Sequence, residues 1–276
     1  MWNAFVVNLL WIIVGYLIGS INFSIILTSN NPKKKNIKEV GSGNAGATNA
    51  ARVYGIKFGL LVFILDASKS FWYGFILGIL QNNLEPFKSI IPQVCLISVI
   101  IGHVFPIYFN FKGGKGAATL LGMIASISLL LAAIGAIIFI AIVWYTRYVS
   151  LGSIVVPYIL VIISFFCKSW NHFDSVIWYG DFWINPLCLF IGSSIVTASH
   201  WKNIANLINK TESKISFKSK ARINASEKKL LDTNLEIEAN KTIINDQNNI
   251  EINSDINENI NSIIDDAITK NNFDYE

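Results

Sequence analysis

Charge is what this 276-residue chain has least of: 14% of its residues are Asp, Glu, Lys or Arg, against 53% apolar. Soluble globular domains carry about 25% charged residues, so this scarcity excludes an ordinary soluble fold and makes lipid the solvent. Cysteine is scarce too. Cys95, Cys167 and Cys188 lie in or beside apolar runs without metal-type spacing, which excludes a zinc centre and leaves buried small hydrophobes as the plain reading. Cys167 and Cys188 flank one loop and could pair if that loop faced an oxidising compartment. No basic n-region or cleavage site accompanies the first apolar run, so it reads as a retained span. No Ser-His-Asp arrangement and no His-x4-Asp motif occurs, and neither a metal nor a cofactor is expected.

Acidic residues are missing from one part of the chain in particular. Residues 1–211 hold 14 Lys/Arg against 5 Asp/Glu, whereas residues 212–276 hold 8 against 13. The net charge of +4 therefore averages a basic body and an acidic tail. A basic membrane body points to anionic ligands or lipid headgroups. Nucleic acid is not expected as a partner, because the basic residues sit in short loops between apolar runs.

Crossing about 30 Å of hydrocarbon takes about 20 apolar residues. Runs of that kind fall near residues 5–29, 57–80, 89–109, 117–146, 151–167 and 183–199. The fourth, 30 residues long, is either one long tilted helix or two short helices joined by a turn near Ser126 to Gly135. Lysine and arginine bias in short loops decides. Lys33, Lys34, Lys35, Lys38 and Arg52 follow the first run, and Lys112 and Lys115 follow the third. Only two helices in the fourth run place Arg147, His200 and Lys202 on that same basic side. The expectation is an all-α polytopic membrane protein with seven transmembrane helices, N-terminus outside and C-terminus cytoplasmic. Residues 1–212 form the membrane domain and 213–276 a tail. From about Asn224 the tail holds 12 Asn in 53 residues and no sustained apolar face, the composition of a disordered segment.

Two glycine-rich segments carry the chemistry. The first runs from Gly41 to Arg52, Gly-Ser-Gly-Asn-Ala-Gly-Ala-Thr-Asn-Ala-Ala-Arg. It contains G-x-G-x-x-G, but that fingerprint has meaning only between a strand and a helix of a βαβ unit, and here it lies between membrane spans. Its physical content stands without that fold. Gly43 and its neighbours let backbone N–H groups approach an anion, Ser42, Asn44, Thr48 and Asn49 offer hydrogen bonds, and Arg52 grips phosphate bidentately. The second segment is Gly102-His103-Val104-Phe105-Pro106 followed by Phe111-Lys112-Gly113-Gly114-Lys115-Gly116. It fails as a Walker A motif because position 109 is Phe and Gly follows Lys115. What remains is a pair of lysines on a glycine turn that feeds a helix N-terminus, a second anion site.

Three smaller features add to these. Asp66 and Lys69 are three apart on one helical face inside the second run, where ionisable groups need a partner or a polar cavity. They read as a self-neutralising pair or as a lysine reaching the phosphate site from the membrane side. His103 reads equally as a loop-packing residue and as a substrate contact. His200 and Asn203 in Ser-His-Trp-Lys-Asn-Ile share a face at the end of the last run, and Ser150 follows Arg147 as a helix cap or a minor site residue.

Taken together, residues 42–52, the Gly-His-Val-Phe-Pro and Phe-Lys-Gly-Gly-Lys-Gly segments within 102–116, and His-Trp-Lys-Asn-Ile at 200–204 resemble the PlsY family of bacterial acyl-phosphate:glycerol-3-phosphate acyltransferases. The resemblance covers about residues 5–212. It implies seven spans in the bacterial cytoplasmic (inner) membrane, a site on the cytoplasmic face, and transfer of a fatty acyl group from acyl phosphate to glycerol 3-phosphate. Membrane lipids and the soluble enzyme that makes acyl phosphate are the implied partners. It also implies that Ser42, Asn44, Thr48, Asn49, Arg52 and Lys115 hold phosphate; Lys112, Gly113 and Gly114 belong to the second anion site read from the residues themselves. Lys69, His200 and Asn203 would complete the site, and Asp66 would be the acidic partner of the lysine. The third motif departs from the pattern: Ser199 and Asn206 stand where the family tends to have Arg, and Lys210 where it has Gly.

Acyl phosphate is a mixed anhydride with a good leaving group, so aligning the acceptor hydroxyl and stabilising developing charge can suffice without a covalent acyl-enzyme. A substrate phosphate would then assist deprotonation, with His200 as the rival base. A carrier of small organic phosphates is the competing class, and a non-catalytic membrane scaffold a third. A carrier would need polar groups at both mouths, and the outer loops offer few.

Overall fold

The computed structural model describes residues 3–31, 33–166 and 183–215, and the regular structure among these is all helical. Cys167, the 168–182 loop and the tail from 216 lie outside the described residues. Cys188 is a buried free thiol. The compact body runs from Met1 to Ile215. It takes in Ile215, whose N–H donates to Arg147 O at 2.8 Å.

The first apolar run is not one straight helix. α1 (Ala4–Ser20) and α2 (Phe23–Ser29) meet at a 41° bend. Asn22 causes the break by capping α2, its Oδ1 accepting from Ile25 N at 3.1 Å. α3 (Ala47–Tyr54) is short and lies in the loop region, and α4 (Ile56–Asn83) is the longest helix among the described residues. α5 (Pro92–Val104) packs along α1 so closely that a Cβ on Gly19 would lie 2.2 Å from Val99 O, and one on Gly102 2.2 Å from Tyr16 O. Small residues at such a crossing let backbones approach where lipid supplies no hydrophobic drive.

The ambiguous fourth run is two helices, α6 (Ala117–Ile127) and α7 (Leu129–Thr146). Ser128 makes the turn, its backbone extended and its Oγ accepting from Leu131 N at 3.1 Å. Arg147, left-handed at φ 66°, joins α7 to α8 (Val149–Phe166). α9 (Ile184–Ser199) and α10 (Trp201–Ile208) complete the body, separated at His200. Lys210 is also left-handed at φ 58°, which accounts for the glycine expected there: the chain turns out of α10 through a conformation that costs a side chain about 1 kcal/mol.

Among the described residues, four helices are long and apolar enough to cross a membrane, five if α1 and α2 count as one bent span. α6 and α9 are apolar but shorter, at 11 and 16 residues. At 1.5 Å per residue α6 reaches about 16 Å, half a bilayer. It falls short of the about 20 residues expected of a spanning helix, and its apolar side chains are buried by its neighbours instead. Leu120, Met123 and Ile124 of α6 are fully enclosed with Leu96, Val99 and Ile100 of α5 in one core. Lipid-type exposure falls instead on α7, where Ile137, Ile140 and Trp144 stand more than 60% exposed.

Candidate active site

The loop from Lys38 to Gly46 is shaped by one side chain. Asn49, buried at the start of α3, accepts from Ser42 N through Oδ1 at 2.9 Å and donates through Nδ2 toward Ile37 O, Val40 O and Asn44 O at 3.0–3.2 Å. Gly41 (φ 63°) must lack a side chain, since a Cβ there would sit 2.2 Å from Asn49 Oδ1. Asn49 was expected among the phosphate ligands; its polar atoms are instead spent folding the loop. Ser42, Gly43, Thr48 and Arg52 are exposed and Asn44 half-buried. α3 begins at Gly46 without a side-chain cap, leaving its first N–H groups open to an anion.

The second loop seats against the first. Gly113 N and Gly114 N donate to Val104 O and His103 O, both at 3.1 Å. A Cβ on Gly114 would lie 2.7 Å from Ala45 O and 2.3 Å from His103 Nε2, so only glycine lets the two loops touch. Asn22, not singled out in the sequence, donates from Nδ2 to the same Ala45 O at 3.2 Å. Gly116 (φ 81°) then opens α6, again with no side-chain cap. Lys112 stays exposed beside Lys38.

Lys115 points the other way, to the end of α9. Its Nζ donates to Asn203 Oδ1, and Asn203 Nδ2 donates to Glu212 Oε1 at 2.6 Å. Ser150, buried in the first turn of α8, donates its hydroxyl to the same Glu212 oxygen at 2.6 Å. Lys115 and Ser150 therefore stand at one end of the bundle, and α6 and α7 run out and back between them. Burial pushes the Lys115 ammonium below its ordinary value, Glu212 pulls it up, and Arg52 and Lys202 push it further down. His200 is buried, and its Nδ1 lies 2.8 Å from Val196 O. A carbonyl can only accept, so Nδ1 carries the proton and Nε2 the lone pair. Burial lowers His200 to about 4, so the ring is neutral near pH 7.

Lys69, Asp66 and His103 form a separate cluster, not part of that network. Lys69 Nζ lies 2.9 Å from Gly19 O, Ile21 O and His103 Nδ1, and 3.3 Å from Asp66 Oδ1. Asp66 accepts in turn from Phe23 N. Between them, the two ions take up backbone groups freed by the break between α1 and α2. Lys69 thus has a complete set of internal partners, the opposite of a lysine reaching for phosphate. Among the described residues there is no group of three or more His, Cys, Asp or Glu placed to hold a metal.

Sequence reasoning missed Glu212. It was counted with the acidic tail, although an acid directly after a basic motif, with Lys202 and Lys210 before it, is a signal for a local counter-charge.

The fold and site define a helical integral membrane protein that gathers arginine, lysine and open helix N-termini at one end of its bundle. Residues 9–210 match the family described as Glycerol-3-phosphate acyltransferase. A Mycoplasma mobile protein of that name is 48% identical over 227 residues, covering 78% of this chain and 95% of the relative. Two crystal structures of PlsY (YgiH), an integral membrane glycerol 3-phosphate acyltransferase, align at 29% identity and cover 76% of this chain. The glycerol 3-phosphate form aligns with TM-score 0.64 and the lysphosphatidic acid form with 0.62, covering 96% and 95% of those chains. The chain belongs to the glycerol-3-phosphate acyltransferase family. It is an acyltransferase of lipid biosynthesis, which sets aside the carrier and scaffold readings.

Proposed function

We propose that this enzyme transfers a fatty acyl group from acyl phosphate to the 1-position of glycerol 3-phosphate, releasing 1-acylglycerol 3-phosphate and inorganic phosphate. The observation that carries the reading is the direct contact of two glycine-rich loops, Ala45 against Gly114. Arg52 and Lys115 on those loops stand within electrostatic reach of one another. Two adjoining anion cradles suit a reaction in which both substrates bear phosphate. Relatives solved in glycerol 3-phosphate and lysphosphatidic acid forms support the acceptor and product.

In this reading Ser42, Gly43, Asn44, Thr48 and Arg52 hold one phosphate with the N-terminus of α3. Lys112, Gly113, Gly114 and Lys115 hold the other with the N-terminus of α6. Asn203, His200 and Ser150 close the far wall. The acceptor hydroxyl attacks the acyl carbonyl, the acyl–oxygen bond to phosphate breaks, and the departing phosphate takes the electron pair. The hydroxyl proton goes to a substrate phosphate, because a ring lowered to about 4 is a weak base. No covalent acyl-enzyme is formed.

The bundle crosses the bilayer seven times, as α1 with α2, α4, α5, α6, α7, α8 and α9, with the N-terminus outside. Lys33 to Lys38, Arg52, Lys112, Lys115, Arg147 and Lys202 then all fall on the cytoplasmic side, as the charge rule requires. There the soluble enzyme that makes acyl phosphate can deliver it. The test is phosphate release from acyl phosphate, dependent on glycerol 3-phosphate, in membranes bearing wild type, Lys115→Ala or His200→Gln. Release is lost about 10³-fold in Lys115→Ala and only mildly in His200→Gln. A loss of about 10³-fold in a folded His200→Gln protein would make His200 the base, and no acceptor-dependent release from folded wild type would sink the donor assignment.

A further inference from the structure

Glu212 is the one acidic side chain among the described residues drawn into the Lys115 network, and it lies just past the motifs that define the site. Its position is built rather than incidental. Thr211 N and Glu212 N donate to Asn206 O at 2.8 and 3.2 Å, Ile215 N donates to Arg147 O at 2.8 Å, and Lys214 lies over the Tyr148 ring at 5.5 Å. These contacts tie the segment after α10 across the junction of α7 and α8. They hold one carboxylate oxygen on both Asn203 Nδ2 and Ser150 Oγ.

We propose that Glu212 is a positioning residue of the active site, fixing the Asn203 amide with Oδ1 toward Lys115 and the Ser150 hydroxyl toward α10, so that Lys115 is held for substrate phosphate. The inference rests on the phosphate-site reading of Lys115 above. An amide presents oxygen on one side and nitrogen on the other. A carboxylate can only accept, so it forces Nδ2 toward itself and leaves Oδ1 for the ammonium. Without Glu212 the amide is free to rotate its NH2 toward Lys115, setting donor against donor. Glu212 is also the negative charge facing Lys115, which is otherwise faced by Arg52, Lys202 and His200 and is already lowered by burial. Removing it would lower Lys115 further.

Three full-length proteins in lipid or detergent decide it: wild type, Glu212→Ala and Glu212→Gln, each with its thermal midpoint measured as a folding control. Steady-state acyl transfer is measured against glycerol 3-phosphate across pH. Glu212→Ala loses kcat/KM about 10-fold to 100-fold, chiefly through KM, the scale of losing two hydrogen bonds to a charged acceptor. Glu212→Gln regains most of that loss, since its amide oxygen accepts from the same two donors. In both variants the alkaline limb moves to lower pH, because Lys115 has lost its counter-charge; a residue with a merely structural role would not move it. Wild-type kinetics in both variants would overturn the proposal, as would equal losses with an unmoved pH profile. A fall in KM in both would overturn it as well, showing that the carboxylate competes with substrate phosphate. Lys115→Ala, assayed in parallel, separates the two layers: if it keeps full activity the site reading falls and this inference with it, whereas an inactive Lys115→Ala beside silent Glu212 variants sinks this inference alone.

Discussion

Two charged clusters, the buried Asp66–Lys69–His103 and the half-buried Lys115–Asn203–Glu212–Ser150, differ in what their charges face. Around Lys69 every partner is internal: two backbone carbonyls, a carboxylate and an imidazole. Around Lys115 the ring is incomplete, with exposed Arg52, Lys202, Ser42 and Thr48 on the surrounding elements. A closed cluster builds; an open one has capacity left for a ligand. Both clusters are built around a lysine, so composition alone does not separate them. The difference teaches that a buried ion in a membrane body is to be read by its acceptors. His103 ties the closed cluster to the second loop, with Nδ1 on Lys69 and its carbonyl oxygen accepting from Gly114 N.

The comparison breaks first at the lysines. Lys115→Ala abolishes acyl transfer while the thermal midpoint in detergent stays near wild type. Lys69→Met does the reverse, costing about 3 to 5 kcal/mol of stability because Asp66 is left buried and unpaired, while whatever protein remains folded keeps its KM. A Lys69→Met protein that is stable but inactive would make the two clusters one site. Asn49 comes next: Asn49→Ala removes the core of the first loop without touching Lys115. It should raise KM for glycerol 3-phosphate about tenfold through lost positioning, with kcat read separately to show the second loop intact.

The pH response is the smallest effect and separates the clusters by accessibility. His200 is lowered to about 4 from an ordinary 6.5, so the unfolded chain takes up the proton first as pH falls. Its contribution to stability is complete above about 6.5 and is lost as pH drops toward 4. Lys115 is also lowered, so phosphate affinity declines on the alkaline side before the ordinary lysine value. Thermal midpoints below pH 6.5 and KM above neutrality check the two limbs, and His200→Gln flattens the acid limb of stability alone.

Much of this was legible beforehand, for reasons that hold residue by residue. The break of the 117–146 run followed from loop charges, because Arg147 and Lys202 had to share a side with Lys115. That the two glycine loops share one basic side followed from lysine and arginine placement, whereas their contact at Ala45 and Gly114 is a product of the fold. Three assignments went elsewhere. Asn49 is a donor-rich residue in a polar loop, and nothing in its neighbours told that its amide would face inward. Lys69 looked equally able to reach phosphate until the bend at Asn22 supplied carbonyls for it. Glu212 was hidden by composition, averaged into an acidic tail.

The sequence by itself determined the solvent, the helical class, the family and the two glycine-rich loops. Those rest on apolar run length, on lysine placement and on glycines that only a close backbone approach requires. Tertiary structure alone decided which polar side chains remain free for a ligand. Each amide, ammonium and carboxylate has few hydrogen bonds to give, and whether they are spent at home depends on which backbone groups a bend, a turn or a short helix leaves without partners.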